Sequence, residues 1–189
     1  MDFQELLVKR RSVRDFEDKE VALDLIKEII AESVKAPNAS NAQPWKFIIV
    51  NDKKMMKRIS DDSKKTIMAG IEKDPNSPMK GYLEVLRNEN FNVFYNAPCL
   101  VAIAGRQKSP TIATDCGLLA GYLMLSAANK GLGSCFVAQG AEVRDPQLIQ
   151  EIGLPEGYRI WAPVILGYPK SIPPMPERKE PAILKIISG

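Results

Sequence analysis

Apolar residues recur along the chain at two spacings, and the alternation between them outlines a fold. Leu23, Ile26, Ile30 and Val34, with Ile29 alongside, repeat at helical intervals and predict a helix over 21–35 that Pro37 ends. Phe3, Leu6 and Leu7 predict a shorter helix over 2–9, capped by Asp2, with those three side chains turned inward. Compact runs rich in aromatic and β-branched residues predict buried strands at 45–50, 99–104, 133–138 and 160–166. Pro163 interrupts the last of these and suggests an edge or a bulge. Asp52 caps a further helix reaching about Ser60, and Asp145-Pro146 opens a short one that stops at Gly153. The stretch 112–130 is apolar nearly all round and closes on Lys130-Gly131, so it belongs at the centre of a fold or in a subunit interface. Asp74-Pro75-Asn76-Ser77-Pro78 reads as a turn ahead of a helix over 79–88. After Pro169, the prolines at 173, 174, 176 and 181 forbid a helix and predict an extended C-terminal arm over about 170–189. The arm ends in Ile183-Leu184-Lys185-Ile186-Ile187, which reads as a last strand. Helices and strands interleave without internal repeats, which predicts an α+β architecture in one domain over 1–189.

Composition narrows the chemistry. With 189 residues, 45% of them hydrophobic, and charges of both signs, the chain suits a soluble domain with one substantial core. Its net charge is +3, yet leaving out Lys9, Arg10, Arg11 and Arg14 gives 22 basic residues against 23 acidic ones. The basicity is local, which argues against a nucleic-acid-binding face. There is no histidine, so Ser-His-Asp and Cys-His catalysis and His-ligated metals are excluded. Cys99, Cys116 and Cys135 are widely spaced, show no metal-ligand pattern and lie in apolar stretches. They read as buried, reduced thiols, which fits a reducing cytoplasm. Asp2 and Glu5 interrupt any signal-like run at the start, and the uncharged stretch 116–129 is too short for a bilayer. The expectation is therefore a cytoplasmic protein with no membrane, nucleic-acid or metal partner.

Three arginines fall within five residues at Arg10-Arg11-Ser12-Val13-Arg14, with no acid among them and Asp15 next. Guanidinium forks match a phosphate dianion and Ser12 adds a hydroxyl donor, so the segment reads as a phosphate clamp or else as a solvated basic turn. The loop Pro37-Asn38-Ala39-Ser40-Asn41-Ala42-Gln43-Pro44 is on its own terms an Asn-rich turn before a strand. Val137-Ala138-Gln139-Gly140 is a strand-end turn whose glycine permits close backbone approach.

Taken in order, these segments resemble the nitroreductase family of FMN-dependent oxidoreductases. The resemblance rests on 9–16, on 36–45 running into a strand, and on Asp115 opening an apolar helix that ends Ala127-Ala128-Asn129-Lys130-Gly131. Val137-Ala138-Gln139-Gly140 and the late Val164-Ile165-Leu166-Gly167-Tyr168-Pro169, followed by Arg178-Lys179, complete it; the stretch 61–95 matches poorly. Asn38 stands where the family often has Ser, and Gly121-Tyr122 where it often has Gln-Asn.

The resemblance implies a three-layer fold, with a central mixed or antiparallel sheet flanked by helices. It implies a homodimer with FMN between subunits, and hydride passing from NADH or NADPH through flavin N5 to a nitroaromatic, a quinone or another electron-poor acceptor. Other flavin reactions on the same scaffold, namely reductive dehalogenation, flavin cleavage or azoline oxidation, and a redox-inactive flavin or phosphate-ligand binder, are the alternatives. Arg10 and Ser12, with Arg178 and Lys179, match residues at the FMN phosphate. Arg14 matches a cation near the ring's N1–O2 edge, and Arg11 a pocket position that acts through its backbone. Pro37, Asn38, Ala39 and Asn41 match the segment along the ring and ribityl chain. Val137, Ala138, Gln139 and Gly140 match the segment facing N5 and O4, with the Gln139 amide as N5 donor. No catalytic side chain is implied.

Overall fold

Four antiparallel strands form one sheet, ordered β1-β2-β4-β3, in the computed structural model, which describes residues 2–74 and 76–188. They are β1 (Lys46–Val50), β2 (Cys99–Arg106), β3 (Gly133–Phe136) and β4 (Tyr158–Gly167). The helices are α1 (Phe3–Lys9), α2 (Leu23–Ser33), α3 (Lys53–Lys73), α4 (Leu83–Arg87), α5 (Ile112–Asn129) and α6 (Pro146–Glu151). Because strand side chains alternate between faces, the sheet separates two apolar layers. On β2, Cys99, Val101 and Ile103 pack with α2 and α5, while Leu100, Ala102 and Ala104 pack with α3, α4 and α6. This is the three-layer arrangement expected from the sequence, with the sheet antiparallel throughout.

Pro163 is only half as expected. β4 is an interior strand, paired to β2 on one side and β3 on the other, so Pro163 marks no edge. A bulge does lie nearby. The register steps from Ile103–Ala162 to Ala104–Ile160, leaving Trp161 as the extra residue. The bulge inverts the faces, so Ile160 joins the α3 layer and Ala162 the α5 layer. Pro163 also shortens β3, which ends at Phe136 rather than the expected 138. The Val137 N–H donates to the Pro163 carbonyl at 2.9 Å, but proline has no N–H to return the bond, and the ladder stops.

Four further expectations are corrected. α1 keeps its predicted bounds and its cap, with Asp2 Oδ1 accepting from the Glu5 N–H at 2.8 Å, but none of its residues is buried. Phe3 and Leu7 are 63% and 44% exposed, so their apolar side is left uncovered by the single chain. α3 runs to Lys73 rather than Ser60. Its buried stripe (Met56, Ile59, Ser60, Ser63, Lys64, Ile67, Ile71) has helical spacing, but two serines and a lysine interrupt its apolar character. Residues 79–88 form a short 3-10 turn, Pro78–Tyr82, that leads into α4, and Pro75 of the predicted turn lies outside the described residues. The expected strand at 183–187 is absent: the arm carries no regular secondary structure there and Leu184 is fully exposed, since an unpaired segment makes no ladder. α5 buries Cys116, Leu119, Leu123 and Ala127 but leaves Leu118 and Tyr122 exposed, an apolar face beyond the core. Among the described residues, no helix is long and apolar enough to cross a membrane.

Candidate functional site

The arginine turn is stitched between β3 and the segment after β4. Ser12 bridges Ser134 in parallel, the Val13 N–H donates to the Ser134 carbonyl at 3.0 Å, and Phe16 bridges Pro169. A Cβ at Gly133 would lie 2.8 Å from the Val13 side chain, so glycine there lets the turn sit against β3. The turn opens into a cleft of about 520 Å³ that Arg10, Arg11, Ser12 and Arg14 share with Arg178 and three arm prolines, Pro173, Pro174 and Pro176. No carboxylate among the described residues lines this cleft. Among the described residues, none of Arg10, Arg14 or Arg178 makes an ion pair. Three unmatched guanidiniums in one concavity are the donor set a phosphate dianion needs. Lys179 is exposed and lies outside the cleft lining. The Arg11 side chain turns back to cap α1, donating to the Val8 carbonyl and, at 2.5 Å, to that of Arg10. Burial pushes the neighbouring Cys135 thiol up in pKa, against the opposing pull of Arg14, the Ser12 hydroxyl and Arg10.

A second group follows from the proline in β4. The Val137 carbonyl, denied a partner by Pro163, accepts from the Gly140 N–H at 2.9 Å and starts a 3-10 turn over Ala138–Ala141. Val137 and Gly140 are buried, Ala138 is exposed and Gln139 is half-buried. Gln139 faces a cavity of about 520 Å³ lined also by Thr66, Ile67 and Gly70 of α3, by Asp74, Ser77 and Met79, and by Glu142 and Arg144. Much of this cavity wall comes from the poorly matching stretch 61–95.

The third group lies elsewhere. Pro37, Asn38, Ala39 and Asn41 sit at the N-terminal end of α5. There the buried Asp115 accepts from the Ala39 N–H at 3.0 Å with one oxygen and from the Thr111 hydroxyl at 2.8 Å with the other. Ser40, Asn41 and Gln43 hold positive φ at 53°, 51° and 46°. Asn38 Oδ1 accepts from the Gln43 N–H at 2.8 Å and Asn41 Oδ1 from the Gln43 amide at 3.2 Å, so these side chains shape the loop itself. The arginine turn borders the opposite end of α5, beside Ala128 and Gly131. Eighteen residues at 1.5 Å each separate the two ends by about 27 Å. One chain thus gathers Arg10, Ser12, Arg14 and Arg178, carries Val137–Gly140 at the end of the same strand, and holds 37–41 a helix length away.

Three residues with no assigned role in the sequence reading hold these groups in place: Asp115 under the loop, Tyr95 beside Arg14, and Lys64 below Tyr95. Arg14 Cζ stands 5.6 Å from the Tyr95 ring centroid. Asp115 stands out in the sequence as the acid that opens an apolar helix, without showing which loop it grips; Tyr95 and Lys64 carry no such signal.

Residues 7–168 match the model of the Nitroreductase family. A Thermotoga neapolitana iodotyrosine deiodinase is 28% identical over 180 residues, covering 93% of each chain. An Archaeoglobus fulgidus protein, provisionally named an NADH dehydrogenase/NAD(P)H nitroreductase, is 26% identical over 166 residues, 87% of this chain and 84% of its own. A Bacteroides fragilis nitroreductase solved with bound FMN superposes with a TM-score of 0.82 at 24% identity, covering 100% of both chains, a likeness of fold.

Proposed function

The chain belongs to the nitroreductase family, and on that premise we propose an FMN-dependent oxidoreductase that carries hydride from NADH or NADPH to an electron-poor acceptor such as a nitroaromatic or a quinone. The observation that carries the reading is the acid-free cleft in which Arg10, Ser12, Arg14 and Arg178 converge. Bound FMN supplies the centre that accepts and returns hydride. The residues supply the rest. Arg10, Ser12 and Arg178 hold the phosphate, with Lys179 adding charge from the arm and Arg11 its backbone. Arg14 holds negative charge at the N1–O2 edge of the ring. The Val137–Gly140 turn would offer the Gln139 N–H as a donor to the ring's N5. No side chain need act as a general acid or base, which agrees with the absence of histidine.

The reading includes a homodimer, because Pro37, Asn38, Ala39 and Asn41 stand about 27 Å along α5 from the arginines, farther than one FMN reaches. A second copy supplies them to the first copy's cleft. The uncovered apolar residues of α1, of α5 and of the arm (Ile183, Leu184, Ile186, Ile187) give that partner a surface. One FMN-binding domain over 1–189, with its arm from about 170 crossing to the partner, completes the reading. Three free, buried thiols suit a cytoplasmic location.

An anaerobic titration decides. The purified protein is expected to be yellow, to bleach with NADH or NADPH, and to recover colour with a nitroaromatic or quinone. A colourless protein that takes up no FMN sinks the reading. The likeness to an iodotyrosine deiodinase over 93% of the chain favours one alternative, reductive dehalogenation. Flavin that stays oxidised under excess nicotinamide, in a protein that dehalogenates a halophenol once chemically reduced, would select it.

A further inference from the structure

Residues 91–96 form a turn that touches two of the site's three groups at once. Phe94, fully buried, packs so close to Gly140 that a Cβ there would lie 2.3 Å from the ring. The next residue, Tyr95, presents its ring to Arg14, with the guanidinium carbon 5.6 Å from the centroid. Phe91 meets the Tyr95 ring edge-on at 5.9 Å and 83°, which limits its swing.

The turn is held from below. Lys64, 6% exposed on α3, donates to the carbonyls of Asn88 and Phe91 at 2.7 and 2.9 Å. One helical turn earlier, the Ser60 hydroxyl accepts from the Val93 N–H at 3.0 Å. A buried ammonium spent on two backbone carbonyls is an unusual outlay unless their position matters. The backbone above it is strained at Tyr95, whose φ of 53° is a region that bulky residues seldom occupy; Asn96 shares that φ, which asparagine tolerates. Such strain persists only where the surroundings over-determine it, and it gathers at functional sites.

We infer that Tyr95 is a positioning residue of the redox site: clamped through its turn by Lys64 and Ser60, it fixes the Arg14 guanidinium relative to the Val137–Gly140 segment. The inference rests on the FMN reading above. A cation–π contact orients a guanidinium without neutralising it, whereas a carboxylate partner would cancel its field. Tyr95 thus leaves the full charge of Arg14 available to the ring edge.

The test measures the midpoint potential of bound FMN by redox titration in wild type, Arg14→Gln, Tyr95→Phe, Tyr95→Asn and Lys64→Met. Tyr95→Asn removes the ring yet suits the backbone, because asparagine accepts positive φ. Its thermal midpoint should therefore hold while its potential moves. Arg14→Gln and Tyr95→Asn should each weaken the preference for reduced over oxidised cofactor at least tenfold, about 30 mV for a two-electron couple. Tyr95→Phe keeps the ring and should stay close to wild type. Lys64→Met should shift the potential in the same direction as Tyr95→Asn, and if it fails to fold the Tyr95 pair still decides. A potential lowered by Arg14→Gln but unmoved by Tyr95→Asn overturns the positioning role and leaves the FMN reading standing. Equal shifts in Tyr95→Phe and Tyr95→Asn overturn it too, since the ring would not be the agent. Wild type that binds no FMN overturns both.

Discussion

Gly140→Ala tests whether the 138–141 turn is seated on Phe94. The added methyl would lie 2.3 Å from Cε1 and 2.7 Å from Cζ of that ring. Carbon contacts are most favourable at about 3.5–4.0 Å, so the overlap exceeds roughly 1 Å. Phe94 has no exposed surface into which to rotate. Gly140 does not hold a positive φ, so alanine's own backbone preference costs nothing and the penalty is steric. Overpacking of this kind costs about 1–3 kcal/mol. At about 2–4 °C per kcal/mol for a chain of this size, the thermal midpoint should fall measurably. The decisive assay is a double-mutant cycle by urea denaturation with Phe94→Leu, which removes the colliding ring atoms. Phe94→Leu alone destabilises by emptying core volume, but with Gly140→Ala the combined loss should be smaller than the sum by about 1 kcal/mol. In the FMN-loaded protein, a 1 Å shift of Gln139 should lower kcat/KM by up to about a hundredfold. A cycle additive within about 0.5 kcal/mol, with Gly140→Ala as stable as wild type, refutes the seating.

Arg10→Gln and Arg178→Gln should each weaken FMN binding about tenfold, and the effect should shrink as salt rises, as fluorescence titration at two ionic strengths would show. The thiols give a pH prediction. Burial pushes Cys99 and Cys116 to about 12, so in the fold they stay protonated while the unfolded chain ionises near its ordinary value of 9.0. The unfolded state then binds fewer protons, so the thiols' contribution to stability should be constant below about pH 9 and be lost between about 9 and 12, read from denaturant midpoints. At pH 8 none of the three cysteines should react with a thiol reagent until the protein unfolds. Removing residues 170–189 takes away Arg178 and the apolar arm, so light scattering should report a smaller species and FMN affinity should drop.

The fold was legible wherever burial and periodicity coincide. β2, α2 and α5 carry apolar residues at the spacing their faces demand, and their predicted bounds agree with the structure to within two residues. α3 defeated the same reasoning because its buried stripe spends Ser60, Ser63 and Lys64 on hydrogen bonds or packing that sequence cannot show. The length of β3 was illegible for a different reason. Its last two residues look as strand-like as the rest, and what ends it is the missing N–H of Pro163, twenty-seven positions beyond Phe136 and on another strand. The inward side of α1 was misjudged because periodicity says which residues share a face, not what covers it.

The candidate site divides along the same line. Arg10, Ser12 and Arg14 could be read because charge density without acids is visible in the chain itself, whereas Arg178, flanked by Glu177 and Glu180, was signalled only by the family resemblance; the cleft gathers all four. The asparagines of 37–41 invited a reading as ring partners, yet within one chain Asn38 and Asn41 hold their own loop in its left-handed turn. The loop is pinned to the start of α5 by the buried Asp115, which accepts from the Ala39 N–H with one oxygen and from the Thr111 hydroxyl with the other. The loop stands at the far end of α5 from the guanidiniums, and the apolar residues Leu118 and Tyr122 lie exposed on the helix between them. A partner related by a two-fold axis perpendicular to that helix would run its own α5 antiparallel, bringing one copy's loop end to the other's arginine end. The geometry that keeps the groups apart in one chain is therefore the geometry that would join them in two.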